Sequence, residues 1–105
     1  MEINQIQREI KEWADRNFPG FESWKPILGL TEELGELAHA YLKKHQKIRL
    51  TENHDEKMRD AVGDIGIFLL NFCNAMGYNF DEILAKTWTE VKERDWIKHR
   101  SENGL

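Results

Sequence analysis

Apolar residues recur every three or four positions along most of the chain, and no segment alternates apolar and polar residues over a useful length. This spacing is typical of α-helices, in which about 3.6 residues make one turn. It predicts helices at roughly 2–17, 26–46, 52–76 and from about 80 onward. Thr51 and Asn79 are the expected N-caps, and Gly77 is expected to end the third helix. The predicted fold class is therefore all-α, with a single domain over residues 1–105.

The third predicted helix is apolar around nearly its whole circumference. Its apolar residues are Val62, Ile65, Ile67, Phe68, Leu69, Leu70, Phe72 and Cys73. A helix with this pattern is expected to be buried on all sides. Three other short helices can hardly cover it on every side.

The polar residues in the middle of the third helix fall on one narrow stripe. On a helical wheel Asp60, Asp64 and Asn71 lie within about 40° of one another, and Lys57 extends the stripe toward the N-terminal end. Like charges four residues apart repel, and a carboxylate removed from water is costly unless it is paired, protonated or bound to a cation. The two aspartates are therefore expected either to pair with basic residues or to bind a cation.

The second predicted helix carries three glutamates beside its apolar face, in "LTEELGELAHA" (30–40). Glu33 lies at the edge of the apolar arc and Glu36 one step further round, whereas Glu32 points well away from it. Gly35 has no side chain, which is expected to allow the close approach of a neighbour. Glu33 and Glu36 can thus aim along one flank of the packing face.

If the second and third helices pack as an antiparallel hairpin, these carboxylates converge between them. The predicted metal ligands are Glu33, Glu36, Asp60 and Asp64. Ligation by oxygen alone favours Mg²⁺, with Mn²⁺ as the alternative, and Mg²⁺ usually shares its coordination shell with a phosphate-bearing substrate. A polyphosphate ester is the expected ligand and metal-assisted attack by water the expected reaction. Glu33 and Glu36 are also the candidate catalytic bases, a role that the sequence does not separate from ligation.

Composition narrows the classes of function. A net charge of −4 without a dominant basic face argues against a general nucleic-acid binder. The longest apolar run, "IGIFLLNFC", is too short to span a bilayer, and the mixed charge of the N-terminus is not that of a signal peptide. The single cysteine excludes an internal disulfide and fits a reducing compartment. A cytoplasmic protein without membrane or nucleic-acid partners is expected.

The segments "EELGE" and "DAVGDIGIFLLNFC" resemble the MazG-type all-α nucleoside triphosphate pyrophosphohydrolases. That family has the pattern EExxE, a variable gap and ExxD; Glu32, Glu33 and Glu36 match its first half and Asp64 its last aspartate. The resemblance continues through "NAMGYNFDEILAKTWTEVKERDW" and covers residues 30–96. It implies Mg²⁺-dependent hydrolysis of a nucleoside triphosphate to a nucleoside monophosphate and pyrophosphate, in nucleotide-pool housekeeping. It also implies a homodimer or homotetramer in which helices of two protomers complete a four-helix bundle.

The chain departs from this family pattern at one position. Ala61 stands where the glutamate of ExxD is expected. Asp60 lies on the same stripe as Asp64, whereas Ala61 lies about 60° round the helix. We expect Asp60 to replace the missing ligand with a shorter side chain; the alternative is a degenerate site that binds metal weakly or not at all.

Binding of the phosphate groups also requires cationic side chains and hydrogen-bond donors. The candidate substrate-binding residues are Lys57, Asn71, Asn74, Lys92, Arg94 and Trp24. Lys92 and Arg94 would also suit the end of the fourth helix because of the helix dipole. Trp24, with Phe21, is expected either to stack on a base or to cap the core. The basic segment "KKHQKIR" is expected to be a solvated helix end.

Three alternatives remain open at this point. Glu36 and His39 have the spacing of a ligand pair in a di-iron bundle, but that architecture needs a second such pair, and His39 is expected to be a surface residue. Phosphoribosyl-ATP hydrolysis is a related chemistry on a similar bundle, which no feature of this sequence favours. The non-enzymatic alternative is a helical oligomeric interaction or regulatory module in which the carboxylates form salt bridges between protomers.

Overall fold

The computed structural model of the protein describes residues 2–20, 22, 24–47, 53–94 and 97. The described residues form four helices and no strands: α1 (Ile3–Asn17), α2 (Trp24–His45), α3 (His54–Met76) and α4 (Phe80–Lys92). The prediction of an all-α chain with four helices is confirmed for this part of the chain. Within it, every helix is too short or too polar to span a bilayer.

Local capping chemistry accounts for where α3 and α4 begin and end. The Asn53 side chain accepts a hydrogen bond from the Glu56 N–H at 2.9 Å, so Asn53 is the cap of α3 in place of the expected Thr51, which lies outside the described residues. Gly77 ends α3 in the left-handed conformation, with φ of 72°, as predicted. Asn79 caps α4 by accepting from the Glu82 N–H at 2.9 Å, also as predicted.

α2 and α3 pack along each other as the expected antiparallel hairpin. At one end of the hairpin, Lys44 Nζ lies 2.8 Å from a carboxylate oxygen of Asp55. Toward the other end, Gly29 meets the Phe68 ring so closely that a Cβ at Gly29 would lie 2.6 Å from Phe68 Cδ1. The expectation of a close approach at Gly35 is wrong among the described residues, because apart from its chain neighbours and its own helix backbone no atom lies within 4 Å of where a Cβ would be.

A buried glutamine joins α1 to the end of α3 and the start of α4. Gln7 is only 7% exposed, and its side-chain amide donates to the Asn74 side chain at 3.0 Å and to the Tyr78 carbonyl at 2.8 Å. In return, the Asn74 side chain donates to the Gln7 carbonyl at 3.0 Å, and the Phe80 N–H donates to the Gln7 side chain at 3.1 Å. This network sets the angle at which the chain turns from α3 into α4.

Large apolar side chains of α3 and α4 remain exposed. On α3, Val62 is 58% and Ile67 45% exposed, so the expectation that this helix is buried on all sides is wrong for the single chain. α4 packs against α1, yet it has no buried residue, and Trp88 is 58% exposed. Both helices therefore carry apolar surface that the other described helices do not cover, and α1 and α2 also expose large apolar side chains.

Candidate functional site

A cleft of about 370 Å³ lies between α2 and α3. Its lining residues are Glu33, Glu36, His39, Ala40, Lys43, His54, Lys57, Asp60, Ala61 and Asp64. Their steps of three, four and seven residues along each helix place them on one face, as the helical repeat requires. Two small residues, Ala40 and Ala61, are buried between the helices, and their size leaves room for the charged side chains around them.

The ionisable lining residues of this cleft divide into two groups. We call the carboxylates of Glu33, Glu36, Asp60 and Asp64 the acidic end, and the side chains of His39, Lys43, His54 and Lys57 the basic end. Because α2 and α3 are antiparallel, the acidic residues of α2 face those of α3, and the basic residues of both helices lie nearer the connection between the helices.

All four carboxylates that the sequence predicts as metal ligands line this one cleft. Glu33 is half-buried, whereas Glu36, Asp60 and Asp64 are exposed. The expectation that the two aspartates lie on a buried stripe is therefore wrong for the single chain: they border a cleft that is open to solvent. Their exposure means that water can hydrate both charges, so the aspartates alone do not force a cation into the cleft.

Glu33 is the carboxylate whose ionisation the site disturbs. Partial burial raises its pKa, and the neighbouring charge of Glu36 and a hydrogen bond between these two carboxyl groups raise it further. The charges of Asp64, across the helix interface, and of Glu32 act in the same direction with smaller effects. The negative charges that raise the Glu33 pKa thus come from both α2 and α3. Glu33 therefore lies where the acidic residues of the two helices face each other.

The chemistry of these side chains fits a hard divalent cation, although their positions are not those of a closed coordination shell. Four carboxylates on one cleft offer the oxygen ligands that Mg²⁺ and Mn²⁺ prefer. Among the residues that the structure describes, no three His, Cys, Asp or Glu side chains lie close enough together to hold a metal ion. The side chains would have to turn inward to coordinate a cation, which exposed aspartates and glutamates do readily since their rotamers are unrestrained by packing.

Ala61, which stands where the ExxD pattern has a glutamate, also lines the cleft. Ala61 is 3% exposed and lies on the floor of the cleft, while Asp60 lines the same cleft one residue earlier on α3. Asp60 and Asp64 are one helical turn apart and border the same opening. Asp60 thus lies beside the same cleft as Asp64, and its role as a replacement ligand stays a prediction.

Sequence reasoning missed most of the basic end. Lys57 was predicted from the aspartate stripe, and it lines the cleft. Lys43 lies in the segment expected to be a solvated helix end, and His39 was expected on the surface; both line the cleft, although His39 is exposed. His54, at 6% exposure, is the first residue of α3. The available signal was the spacing of seven residues from Glu36 to Lys43, which returns to nearly the same side of a helix.

The two predicted asparagines lie outside this cleft. Asn71 and Asn74 line a second cleft of about 390 Å³, between the end of α1 and the later part of α3. The Asn74 side chain is engaged with Gln7, a contact that holds α1 to α3. Asn71 follows Asp64 by seven residues, or about 10 Å along the helix.

The remaining predicted substrate residues also lie away from the carboxylates. Trp24 begins α2, about 14 Å along the helix from Glu33. Its indole N–H donates to Glu22, and the indole is half exposed. Lys92 and Arg94 are exposed at the C-terminal end of α4, and neither lines the cleft between α2 and α3. Phe21 lies outside the described residues.

Comparison with protein families, with curated proteins and with solved structures found no match to this chain. The function is therefore inferred from the residues of the cleft and from the resemblance of their spacing to the EExxE and ExxD pattern.

Proposed function

We propose that this protein is a Mg²⁺-dependent nucleoside triphosphate pyrophosphohydrolase that converts a (d)NTP and water to a (d)NMP and pyrophosphate. One observation carries the proposal: the four carboxylates singled out from the sequence line a single cleft between α2 and α3. The raised pKa of Glu33, to which Glu36 and Asp64 contribute, supports it, because a cation held among these groups would relieve their repulsion. The type of reaction is inferred from the carboxylate spacing, which resembles that of the MazG-type enzymes.

The acidic end would hold the cation, with Glu33 and Glu36 on one wall and Asp60 and Asp64 on the other. The chemistry that Mg²⁺ supplies when bound is neutralisation of phosphate charge and activation of water. Glu33 or Glu36 acts as the base that accepts the proton of the attacking water.

Lys57 is the predicted substrate residue that lies beside the carboxylates, and we assign it to the phosphate chain. Trp24, Lys92 and Arg94 lie too far along their helices to share the cleft within one protomer. A role for these three residues at the substrate therefore requires a second protomer to bring them to the cleft, as in the helical assemblies that the resemblance implies.

We propose a homo-oligomer, with a homodimer as its smallest form, in which a second copy covers the exposed apolar faces and completes a four-helix bundle. The chain has a radius of gyration of 18.0 Å, against about 13 Å for a compact domain of this length. Its accessible surface is 8383 Å², against about 6,200 Å² for a compact protein of the same mass. The difference exceeds the roughly 800 Å² per partner that a standard interface buries.

Two observations favour the alternative, a non-enzymatic oligomeric module with a degenerate metal site. Ala61 replaces a glutamate of the ExxD pattern, and the described carboxylates do not converge on a single point. This alternative predicts stability that is indifferent to Mg²⁺. The enzyme predicts a higher melting temperature with Mg²⁺ and a non-hydrolysable nucleotide, because a ligand that binds only the folded state stabilises it.

A screen for pyrophosphate release across common and damaged (d)NTPs, with Mg²⁺ or Mn²⁺, tests the proposal. We expect cation-dependent turnover of at least one triphosphate, and a loss of at least about tenfold in Asp64→Asn and Asp60→Asn. Asp15→Asn, on α1 outside the cleft, is the matched control and should keep full activity. Absence of turnover together with absence of Mg²⁺-dependent stabilisation contradicts the proposal, and full activity of Asp60→Asn removes Asp60 from the site.

A further inference from the structure

The separation of charge along the cleft suggests how a substrate lies in it. On α2 the acidic Glu36 and the basic Lys43 are seven residues apart, or about 10 Å along the helix. On α3 the order is reversed along the chain, with Lys57 before Asp60, so both walls change from acidic to basic in the same direction. A ligand that lies along this cleft meets carboxylates first and cations second.

Lys43 is the clearest member of the basic end. It is half-buried on the cleft wall, and it forms no hydrogen bond or ion pair with another described residue. The adjacent Lys44 is exposed and pairs with Asp55 at 2.8 Å, which shows that a carboxylate is within reach of this part of α2. Lys43 instead presents its charge to the cleft, where it can attract an anion.

The start of α3 places a second lysine of the cleft at the same end of the hairpin. His54, the first residue of α3, is buried at the basic end, and Lys57 follows one turn later. The N-terminal end of a helix carries the positive end of its dipole, which favours anions. Because the last turn of α2, with the negative end of its own dipole, lies at the same place, the positive charge of the basic end comes from its lysine side chains.

We propose that the basic end binds the pyrophosphate half of the nucleoside triphosphate, so that the nucleoside points away from Lys43 and leaves the cleft past Glu33 and Asp64. This inference rests on the proposed hydrolysis between the α- and β-phosphates. In that reaction the water oxygen bonds to the α-phosphorus, and its proton passes to a carboxylate of the acidic end. The bond from the α-phosphorus to the bridging oxygen breaks, and pyrophosphate leaves with that oxygen, its charge held by the basic end.

Binding of the two products, measured by calorimetry in the presence of Mg²⁺, tests this orientation without turnover. The probes are inorganic pyrophosphate and a nucleoside monophosphate, and the variants are Lys43→Gln and Lys57→Gln. Each variant should bind pyrophosphate about tenfold more weakly, the effect of losing one charge-assisted hydrogen bond, and should bind the monophosphate as the wild type does. Lys44→Gln removes the same charge one residue away and should leave both affinities unchanged.

The outcomes separate this inference from the proposed function. Cation-dependent turnover, combined with pyrophosphate binding that is unchanged in Lys43→Gln and Lys57→Gln, overturns the orientation and leaves the enzyme intact. An equal loss of pyrophosphate binding in Lys44→Gln also overturns it, because the effect would then be one of overall charge. Weaker monophosphate binding with unchanged pyrophosphate binding would place the substrate in the opposite direction.

Discussion

At the scale of single residues, the chain keeps a carboxylate where its charge is disfavoured. Glu33 is half-buried and adjoins Glu36, and the charge of Asp64 reaches it from the neighbouring helix. A protein that needed only a stable helix pair would be better served by a neutral residue at this position. Perturbed carboxylates in clefts are typical of functional sites, which is why we place the chemistry here.

The raised pKa of Glu33 makes folding stability depend on pH in a defined direction. The folded protein holds the Glu33 proton more tightly than the unfolded chain, so the proton stabilises the fold at low pH. Without divalent cations this contribution should be lost as the pH rises from the ordinary glutamate pKa through the raised pKa of Glu33. Thermal melts across that range, in a chelating buffer, measure it.

Glu33→Gln should remove this pH dependence and give a higher melting temperature at neutral pH, since the neutral amide does not repel Glu36 and Asp64. The same variant should lose stabilisation by Mg²⁺. Glu32→Gln is the matched control, because the Glu32 side chain is exposed and contributes least to the shift. A Glu33→Gln protein that is less stable at neutral pH than the wild type would show that the charge is paired and not repelled.

At the scale of helices, the antiparallel packing of α2 and α3 brings the carboxylates together. The contact of Gly29 with Phe68 lies one helical turn from the facing pair Glu33 and Asp64 on each helix. The spacing between α2 and α3 at this contact therefore determines how far apart the two acidic walls lie.

Gly29→Ala should destabilise the protein, because the added methyl group overlaps the Phe68 ring and overpacking of this kind costs about 1–3 kcal/mol. Gly35→Ala, six residues later on the same helix, meets no described atom of another helix within 4 Å and should stabilise α2 by up to about 1 kcal/mol. Denaturant unfolding compares the two variants. Phe68→Leu should restore much of the stability of Gly29→Ala, and equal stabilities of Gly29→Ala and Gly35→Ala would contradict this account.

The helices and their ends could be predicted because the signals are local. Asn79 and Gly77 act through their own side chain or backbone within one turn, and the periodicity of apolar residues depends on the chain alone. The position of the four carboxylates on one cleft was predictable for a related reason: a short connection leaves an antiparallel hairpin few possible registers.

Other features could not be predicted because they depend on distant partners. The close approach at Gly29 requires the Phe68 ring, and the buried Gln7 requires groups about 70 positions later in the chain. Lys43 lies in a segment with several basic residues at the end of α2, and composition alone does not indicate which of these residues faces the cleft. The prediction that the aspartates are buried was wrong for the single chain. The pattern of α3 shows that the helix is apolar on most sides, but it does not show whether the same chain or another molecule covers those sides.

At the scale of the whole molecule, exposed apolar surface is the dominant feature. Leu84 and Trp88 on α4 are 49% and 58% exposed, and they lie four residues apart on one face. Among the described helices, α1 is the one against which α4 packs to any extent. A second copy that covers this face would also bring basic residues of α4 toward another protomer.

Trp88→Glu should therefore weaken self-association by at least about tenfold, since a buried aromatic residue is a typical anchor of an interface. Light scattering or sedimentation over a range of concentrations measures the effect. Lys86→Gln, two residues earlier and on another side of α4, should leave the assembly unchanged. A wild-type protein that stays monomeric at high concentration would contradict the proposed homo-oligomer.

The central claim, that Glu33, Glu36, Asp60 and Asp64 form one cation site, is tested most directly by paramagnetic broadening with Mn²⁺. Manganese is substituted for Mg²⁺ at less than one equivalent, and the NMR signal of each backbone amide is followed. The account predicts that amides near these four residues are lost first, while those around Asp15 on α1 and Glu82 on α4 persist. Broadening spread evenly over all acidic residues, or no broadening in the cleft, would contradict it.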